Sequence, residues 1–263
     1  MAERGHADGT VGKALDVLEA VAAYGRPVRF TELLDRSSYP KATLYRLLQT
    51  LVSQEMVAHD EEAGTYAVGL RLVRLAHAAW AQSSLAPIAR PHVDELAAMT
   101  GETVHLAQLD GGQVLYVDKR NARNPVEMFS QAGKVGPAYC TGVGKAILAY
   151  LPPDALRDAL ARQSFLRHTP NTITTVEALM DELARIRAAG HAFDREEHEP
   201  GIICCAVPIL GRSGRPLGAL SLTSTTARSS LSQLEAQADL LKQVAGRIAT
   251  EAESWRFPEI VEG

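Results

Sequence analysis

The chain has 263 residues, 46% of them apolar and 22% charged, which is the composition of a globular protein long enough for two ordinary domains. No run of about 18 apolar residues occurs, and the opening MAERGHADGTVGK has no apolar core, so neither a membrane span nor a secretory leader is expected. Three cysteines, two of them adjacent, do not make a disulfide framework and suit a reducing cytoplasm, while a net charge of −4 speaks mildly against a nucleic-acid binder taken as a whole.

The first element is VGKALDVLEAVAAYG, which sets Val11, Leu15, Leu18 and Val21 on one helix face and stops at Gly25. Pro27 turns the chain, and Thr31 is a good N-cap for a short helix, TELLDR. After Ser37-Ser38 a third helix runs to about Ser53, with Pro40 in its first turn. Leu44, Leu47, Leu48 and Leu51 recur at helical spacing on its inner side; Lys41, Thr43, Tyr45, Arg46 and Gln49 lie outside. MVAHDEEAGTYAV reads as two short strands around an acidic turn containing Gly64. GLRLVRLAHAAWAQ is a helix apolar on most sides, interrupted by Arg71, Arg74 and His77, and a partner copy of the chain would cover it. A further helix ends at Gly101. ETVHLAQL and QVLYVDK then flank Asp110-Gly111-Gly112, a strong hairpin signal. PVEMFSQAG reads as a strand, TGVGKAILAYL and PPDALRDALARQ as helices, and VEALMDELARIRAAG as a helix with a glycine C-cap. IICCAVPIL and PLGALSLTS are strands, and a helix carrying Leu231, Leu234, Leu241 and Ile248 closes the chain. Antiparallel pairs with interspersed helices give an α+β class.

Three helices and a hairpin in about sixty residues form the layout of a winged helix-turn-helix, whose third helix enters the major groove of DNA. From Arg36 to Arg46 there are three basic residues and no acid. Arg36, Lys41 and Arg46 would supply phosphate affinity. Ser37, Ser38 and Tyr45 can donate to phosphates or bases, and Tyr39, Ala42 and Thr43 are the expected base-edge contacts. The wing tip is acidic, so Thr65 is the expected wing contact. The same pattern also fits a small helical domain with a solvated polar face.

The wording of both halves resembles the IclR family of bacterial transcription regulators over nearly the full length. The resemblance lies in VGKALDVLEAVAAYGRPVRFTELLDRSSYPKATLYRLLQTLVSQEMV, YAVGLRLVRLA, VHLAQLDGGQVLYVDK, PAYCTGVGKAILAYLP, GHAFDREEHEPGIICCAVPI and LGALSLTS. It implies an N-terminal winged helix-turn-helix joined by a linker helix to a GAF-like α/β effector-binding domain. The corresponding boundaries are 1–68, 69–84 and 85–263. PAYCTGVGKAILA, with HTPNTIT further on, is most similar to the branch typified by the ketodeoxygluconate regulator. That similarity ranks a sugar acid or 2-keto acid first as effector and an aromatic acid second.

Four segments can build the effector pocket. Gly142 and Val143 stand at a helix start, where free backbone N–H groups favour an anion. Asp194 comes from FDREEH, Cys204 from IICCAV, and Ser221 and Thr223 share one strand face. The family resemblance implies the same six positions and adds Met128 on the apolar side. Each has a plainer use: Ser221 and Thr223 as ordinary strand residues, Cys204 as a small buried apolar group, Asp194 as a turn cap. An acid pocket holding an aspartate requires that Asp194 be protonated, bridged by water, or turned to a ligand hydroxyl, and a hydroxyl or water contact is the expected one.

Other signals fail. TGVGKA has Ala146 after Lys145 and Tyr139 where a phosphate loop needs glycine. REEHE reads as a solvated charged loop, not a metal site, since no second histidine stands at helical spacing. No motif orients a histidine toward Ser221 or Cys204, so a small-molecule enzyme with a helical accessory domain is the second class of reading. Neither a cofactor nor a metal is expected. The expected partners are a palindromic double-stranded DNA operator, a small organic acid and further copies of the chain, as a dimer or tetramer.

Overall fold

A computed structural model of the protein describes residues 9–83 and 85–254. The outer bounds expected at residues 1 and 263, and the linker's end at residue 84, lie outside the described residues. The chain divides into two compact units between Gln82 and Ser83.

The first unit runs α1 (Thr10–Ala23), β1 (Val28–Arg29), α2 (Phe30–Arg36), α3 (Lys41–Ser53), β2 (Val57–Asp60), β3 (Thr65–Val68) and α4 (Leu70–Ser83). The strands form an antiparallel sheet in the order β1-β3-β2, with β2 and β3 as the wing. Leu44, Leu47, Leu48 and Leu51 of α3 meet Val17, Leu18 and Val21 of α1, Leu33, Val57 and Tyr66 in one core. Three expectations shift here. Val11 and Leu15 are 75% and 49% exposed, because the core reaches only the second half of α1. Thr31 does not cap α2; the helix starts one residue earlier, and the Arg29 N–H donates to the Glu32 carboxylate at 3.0 Å. Pro40 is the N-cap of α3 and lies outside its first turn.

The wing turn is held locally: Asp60 Oδ1 accepts from the N–H groups of Glu62 and Ala63, each at 3.0 Å. Gly69 follows the wing because no side chain fits there; a Cβ would stand 2.1 Å from the Glu55 carbonyl oxygen. The apolar character expected of α4 is visible as exposure: Leu70, Val73 and Leu75 are 83%, 53% and 49% exposed.

The second unit runs α5 (Ala86–Thr100), β4 (Thr103–Asp110), β5 (Gln113–Arg120), β6 (Val135–Gly136), α6 (Gly142–Leu148), α7 (Pro153–Ala161), α8 (Val176–Ala189), β7 (Ala192–Arg195), β8 (Ile202–Leu210), β9 (Pro216–Thr225), α9 (Leu231–Glu235) and α10 (Ala238–Ser254). One antiparallel sheet has the order β6-β5-β4-β9-β8-β7. Gly101 and Gly190 end α5 and α8 in the left-handed conformation, which an unbranched backbone adopts without strain. PVEMFSQAG is not a strand. Pro125 lacks an N–H, and the Phe129 N–H donates to the Glu199 carboxylate at 3.0 and 3.1 Å instead of a neighbouring strand. The segment becomes a loop that β6 closes against β5. Among the described residues no helix is long and apolar enough to cross a membrane.

Candidate DNA interface and ligand cavity

The leucine side of α3 is fixed by the core, so the opposite side faces outward. Arg36, Ser38, Lys41, Ala42, Tyr45 and Arg46 are exposed, and Ser37, Tyr39, Thr43 and Thr65 are half-buried. The turn before α3 is self-supported: the Tyr39 N–H donates to Ser37 Oγ at 3.0 Å. The Tyr39 ring packs on the core and its hydroxyl donates to Asp16 at 2.6 Å. That ring therefore ties α1 to the turn before α3. Tyr45 stands edge-on to Phe30, and the Arg36 guanidinium lies over the Tyr24 ring at 5.2 Å. Thr65 is paired between Arg29 and Asp60 beside the wing turn.

In the second unit the strand registers gather the expected residues. Asp194, Cys204 and Thr223 are opposite one another across β7, β8 and β9. Ala206, Ser221 and His105 form the next row across β8, β9 and β4. Residues two apart on one strand share a face, so both rows point to one side. The first turn of α6 closes over that side. A Cβ on Gly142 would lie 2.3 Å from Cys204 Sγ, so only glycine lets the helix start this close to β8. Between them lies a cavity of about 30 Å³ lined by Gly142, Val143, Asp194, Cys204, Ser221 and Thr223.

Met128 is buried but does not line the cavity; its neighbours Phe129 and Ser130 do. The family resemblance alone implied Met128, and in this chain the loop presents the next two residues to the cavity in its place. Sequence reasoning also missed His105, Tyr116, Thr141, His198, Glu199 and Ile202, which complete the lining. For His105 a signal existed: it alternates in register with apolar residues of VHLAQL, on a strand otherwise buried.

The electrostatics are unusual for an acid site, since no lysine or arginine is among the lining residues. Burial, then the nearby Glu197 charge, pushes the Asp194 carboxyl up to about 7, against the opposing pull of Lys145. Its Oδ1 accepts from the Glu197 N–H at 2.7 Å. Burial, then the charge of Lys119, lowers His105 to about 3, so its ring is neutral at physiological pH. Burial also raises the Tyr116 phenol and carries the Cys204 thiol well above its ordinary range. Cys204 is therefore a neutral thiol, unsuited to attack.

REEHE is not a solvated loop as a whole. Glu197 is 2% exposed and pairs with Lys145, which is fully buried. Lys145 also lies 3.7 Å from Glu182, which in turn takes Arg195 at 2.7 Å and Arg185 at 3.1 Å. The charges thus form a network behind the cavity wall. Among the described residues no group of three His, Cys, Asp or Glu side chains is placed to hold a metal ion.

Two family models match the chain: the IclR helix-turn-helix domain over residues 10–61, and the bacterial transcriptional regulator IclR C-terminal domain over residues 77–250. The chain is 33% identical to the HTH-type transcriptional regulator KdgR of Escherichia coli K12, across 95% of each protein. It is 30% identical to the solved IclR of Thermotoga maritima, with a TM-score of 0.75 over 92% of this chain and 98% of that one. An IclR homologue from Microbacterium hydrocarbonoxydans, solved in complex with 4-hydroxybenzoate, shares the fold with a TM-score of 0.81 at 22% identity, over 94% of this chain and 100% of that one.

Proposed function

The chain belongs to the IclR family of bacterial transcriptional regulators, and from that premise we propose a cytoplasmic regulator that binds a palindromic operator and is modulated by a small organic acid. Its families and relatives are transcriptional regulators, not enzymes. Residues 1–68 bind DNA, 69–84 link and dimerise, and 85–263 bind the effector. Arg36, Lys41 and Arg46 neutralise phosphates. Ser37, Ser38 and Tyr45 add phosphate or base contacts, Tyr39, Ala42 and Thr43 meet base edges, and Thr65 serves the wing. A two-fold dimer places the two α3 helices on half-sites about one helical turn apart. The exposed Leu70, Val73 and Leu75 of α4 support a second copy as its cover.

The observation that carries the effector reading is the cavity. It is buried and closed by Gly142 and Val143, and it is lined by hydroxyls and by a carboxyl that burial holds near neutrality. A protonated Asp194 donates to an incoming carboxylate, and Ser221 and Thr223 meet its oxygens. A sugar acid or 2-keto acid suits this polar lining. The second reading is an aromatic acid, for which Tyr116, Phe129 and Ile202 offer apolar walls. A volume of about 30 Å³ holds a water or two and no such acid. Binding therefore enlarges the cavity, and that differential affinity for two arrangements is what a ligand needs to shift an equilibrium. Fluorescence anisotropy on DNA from the gene's upstream region, at two salt concentrations and with a panel of acids, tests both halves. Tight, salt-sensitive binding shifted by one acid supports the reading. Binding no tighter than to random DNA, on this and on a wider operator screen, refutes it.

A further inference from the structure

Four side chains on the cavity wall form a continuous polar row. Ser130 Oγ lies 2.8 Å from His105 Nε2, His105 Nδ1 lies 3.1 Å from Thr223 Oγ1, and Thr223 Oγ1 lies 3.5 Å from Ser221 Oγ. All are buried and all line the cavity. They come from a loop and two strands, so the row exists only in the folded unit. A neutral imidazole holds one proton for two nitrogens. With that proton on Nδ1, His105 donates to Thr223 and accepts from Ser130, which then shows the cavity lone pairs only. With the proton on Nε2, His105 donates to Ser130, whose own proton turns to the cavity, and accepts from Thr223. The choice of tautomer thus reverses the donor and acceptor sense of the whole row.

A histidine that merely fills the core needs its nitrogens satisfied but no place on a cavity wall, and His105 has both, with partners that line the same cavity. We propose that His105 is a specificity-determining residue, which matches an oxygen function beside the effector's carboxylate through Ser130 and Thr223 by its choice of tautomer. The proposal rests on the acid-binding reading of the cavity. It adds that this row is what recognises the hydroxyl or oxo group next to the carboxylate, and that an acid with bare hydrocarbon there is rejected. The cause is physical: such an acid leaves a buried hydroxyl of the row without its partner.

Lactate and glycerate carry a hydroxyl next to the carboxylate, pyruvate an oxo group and propanoate bare hydrocarbon, on three-carbon acids of similar size. Titrated into the full chain by calorimetry, lactate and glycerate are expected to bind about tenfold tighter than propanoate, the effect of one buried hydrogen bond. In His105→Leu the ratio falls to within about twofold. His105→Gln, which keeps a donor and an acceptor, recovers part of it. Ser130→Ala removes one end of the row with the ring in place and gives the same loss, even if the leucine variant does not fold. The tautomer is read separately from the ring nitrogen chemical shifts, assigned by their disappearance in the glutamine variant. Pyruvate, which only accepts, leaves the Ser130 side donating. An unchanged ratio in Ser130→Ala, or propanoate as tight as lactate in the unaltered protein, overturns the assignment. If none of the four binds while another acid of the wider panel does, the assignment of the row falls and the acid reading of the cavity stands; if no acid of either set binds, both fall. Operator binding by the same preparation shows whether the DNA half of the function stands alone.

Discussion

Asp194→Asn isolates the most perturbed carboxyl of the cavity. Burial and the Glu197 charge raise this group from 3.8 to about 7. A carboxyl with a higher pKa folded than unfolded destabilises the fold only where the unfolded chain ionises it. The penalty is absent below about pH 3.8, grows as pH rises toward 7, and is constant above. A rise of that size corresponds to a ceiling of roughly 4 kcal/mol at high pH. Asparagine keeps an oxygen for the Glu197 N–H, 2.7 Å from Asp194 Oδ1, and carries no charge. Urea midpoints of both proteins should therefore be measured from pH 5 to 8.5. The variant is expected to gain on the parent with rising pH and to hold a steady lead above about 7.5. Acid affinity follows the same proton. Above pH 7 the parent loses about tenfold per pH unit, because each anion bound takes up one proton at Asp194, while the asparagine variant stays level. Parallel stability curves across the whole range would refute the burial argument. Parallel affinity curves would refute the protonated contact.

Three further substitutions test other parts of the reasoning. Gly142→Ala drives a Cβ into Cys204 Sγ, 2.3 Å away, and should cost about 1–3 kcal/mol in chemical denaturation; Cys204→Ala in the same chain should recover most of that. Lys145→Met takes the nearest cation from the buried Glu197 and leaves Glu182 to Arg195 and Arg185. A loss of about 3–5 kcal/mol is expected, and adding Glu197→Gln should reduce it; equal stability of the single and double variants would contradict the network. Arg46→Ala should weaken operator binding and flatten the salt dependence by about 0.9 in log–log slope, measured by anisotropy; an unchanged slope removes Arg46 from the phosphate contacts.

The parts of the molecule that were legible in the sequence are those where one face repeats. The leucine spacing of α3 reflects a single buried side, so its outward face followed directly; β8 and β9 are buried on both faces, and there the two-residue period alone put Ser221 and Thr223 on one side. Lys145 and Glu197 escaped because each lies in a segment that also reads as polar surface. Their burial depends on meeting each other across 52 residues of chain. Phe129 replaced Met128 on the cavity because a side-chain bond to Glu199, invisible in local pattern, took the loop out of strand geometry. Thr31 lost its cap role because the helix begins at Phe30 behind Arg29, whose N–H the Glu32 carboxylate takes.

The order of strands in the second sheet sets a timetable for the molecule's assembly. β4 and β9 are neighbours, joined from Thr103↔Thr223 to Ala107↔Ala219. Each ladder contact therefore closes a loop of more than a hundred residues, and closure entropy must be met before the pairing returns anything. The first unit, by contrast, finishes its own core by Tyr66. During synthesis the reader domain can be folded while the sensor is still an incomplete sheet with β4 unpaired on one side. A ribosome stalled before β9 would thus carry a finished first unit beside a cavity wall still lacking Ser221 and Thr223, the last of its lining residues in chain order.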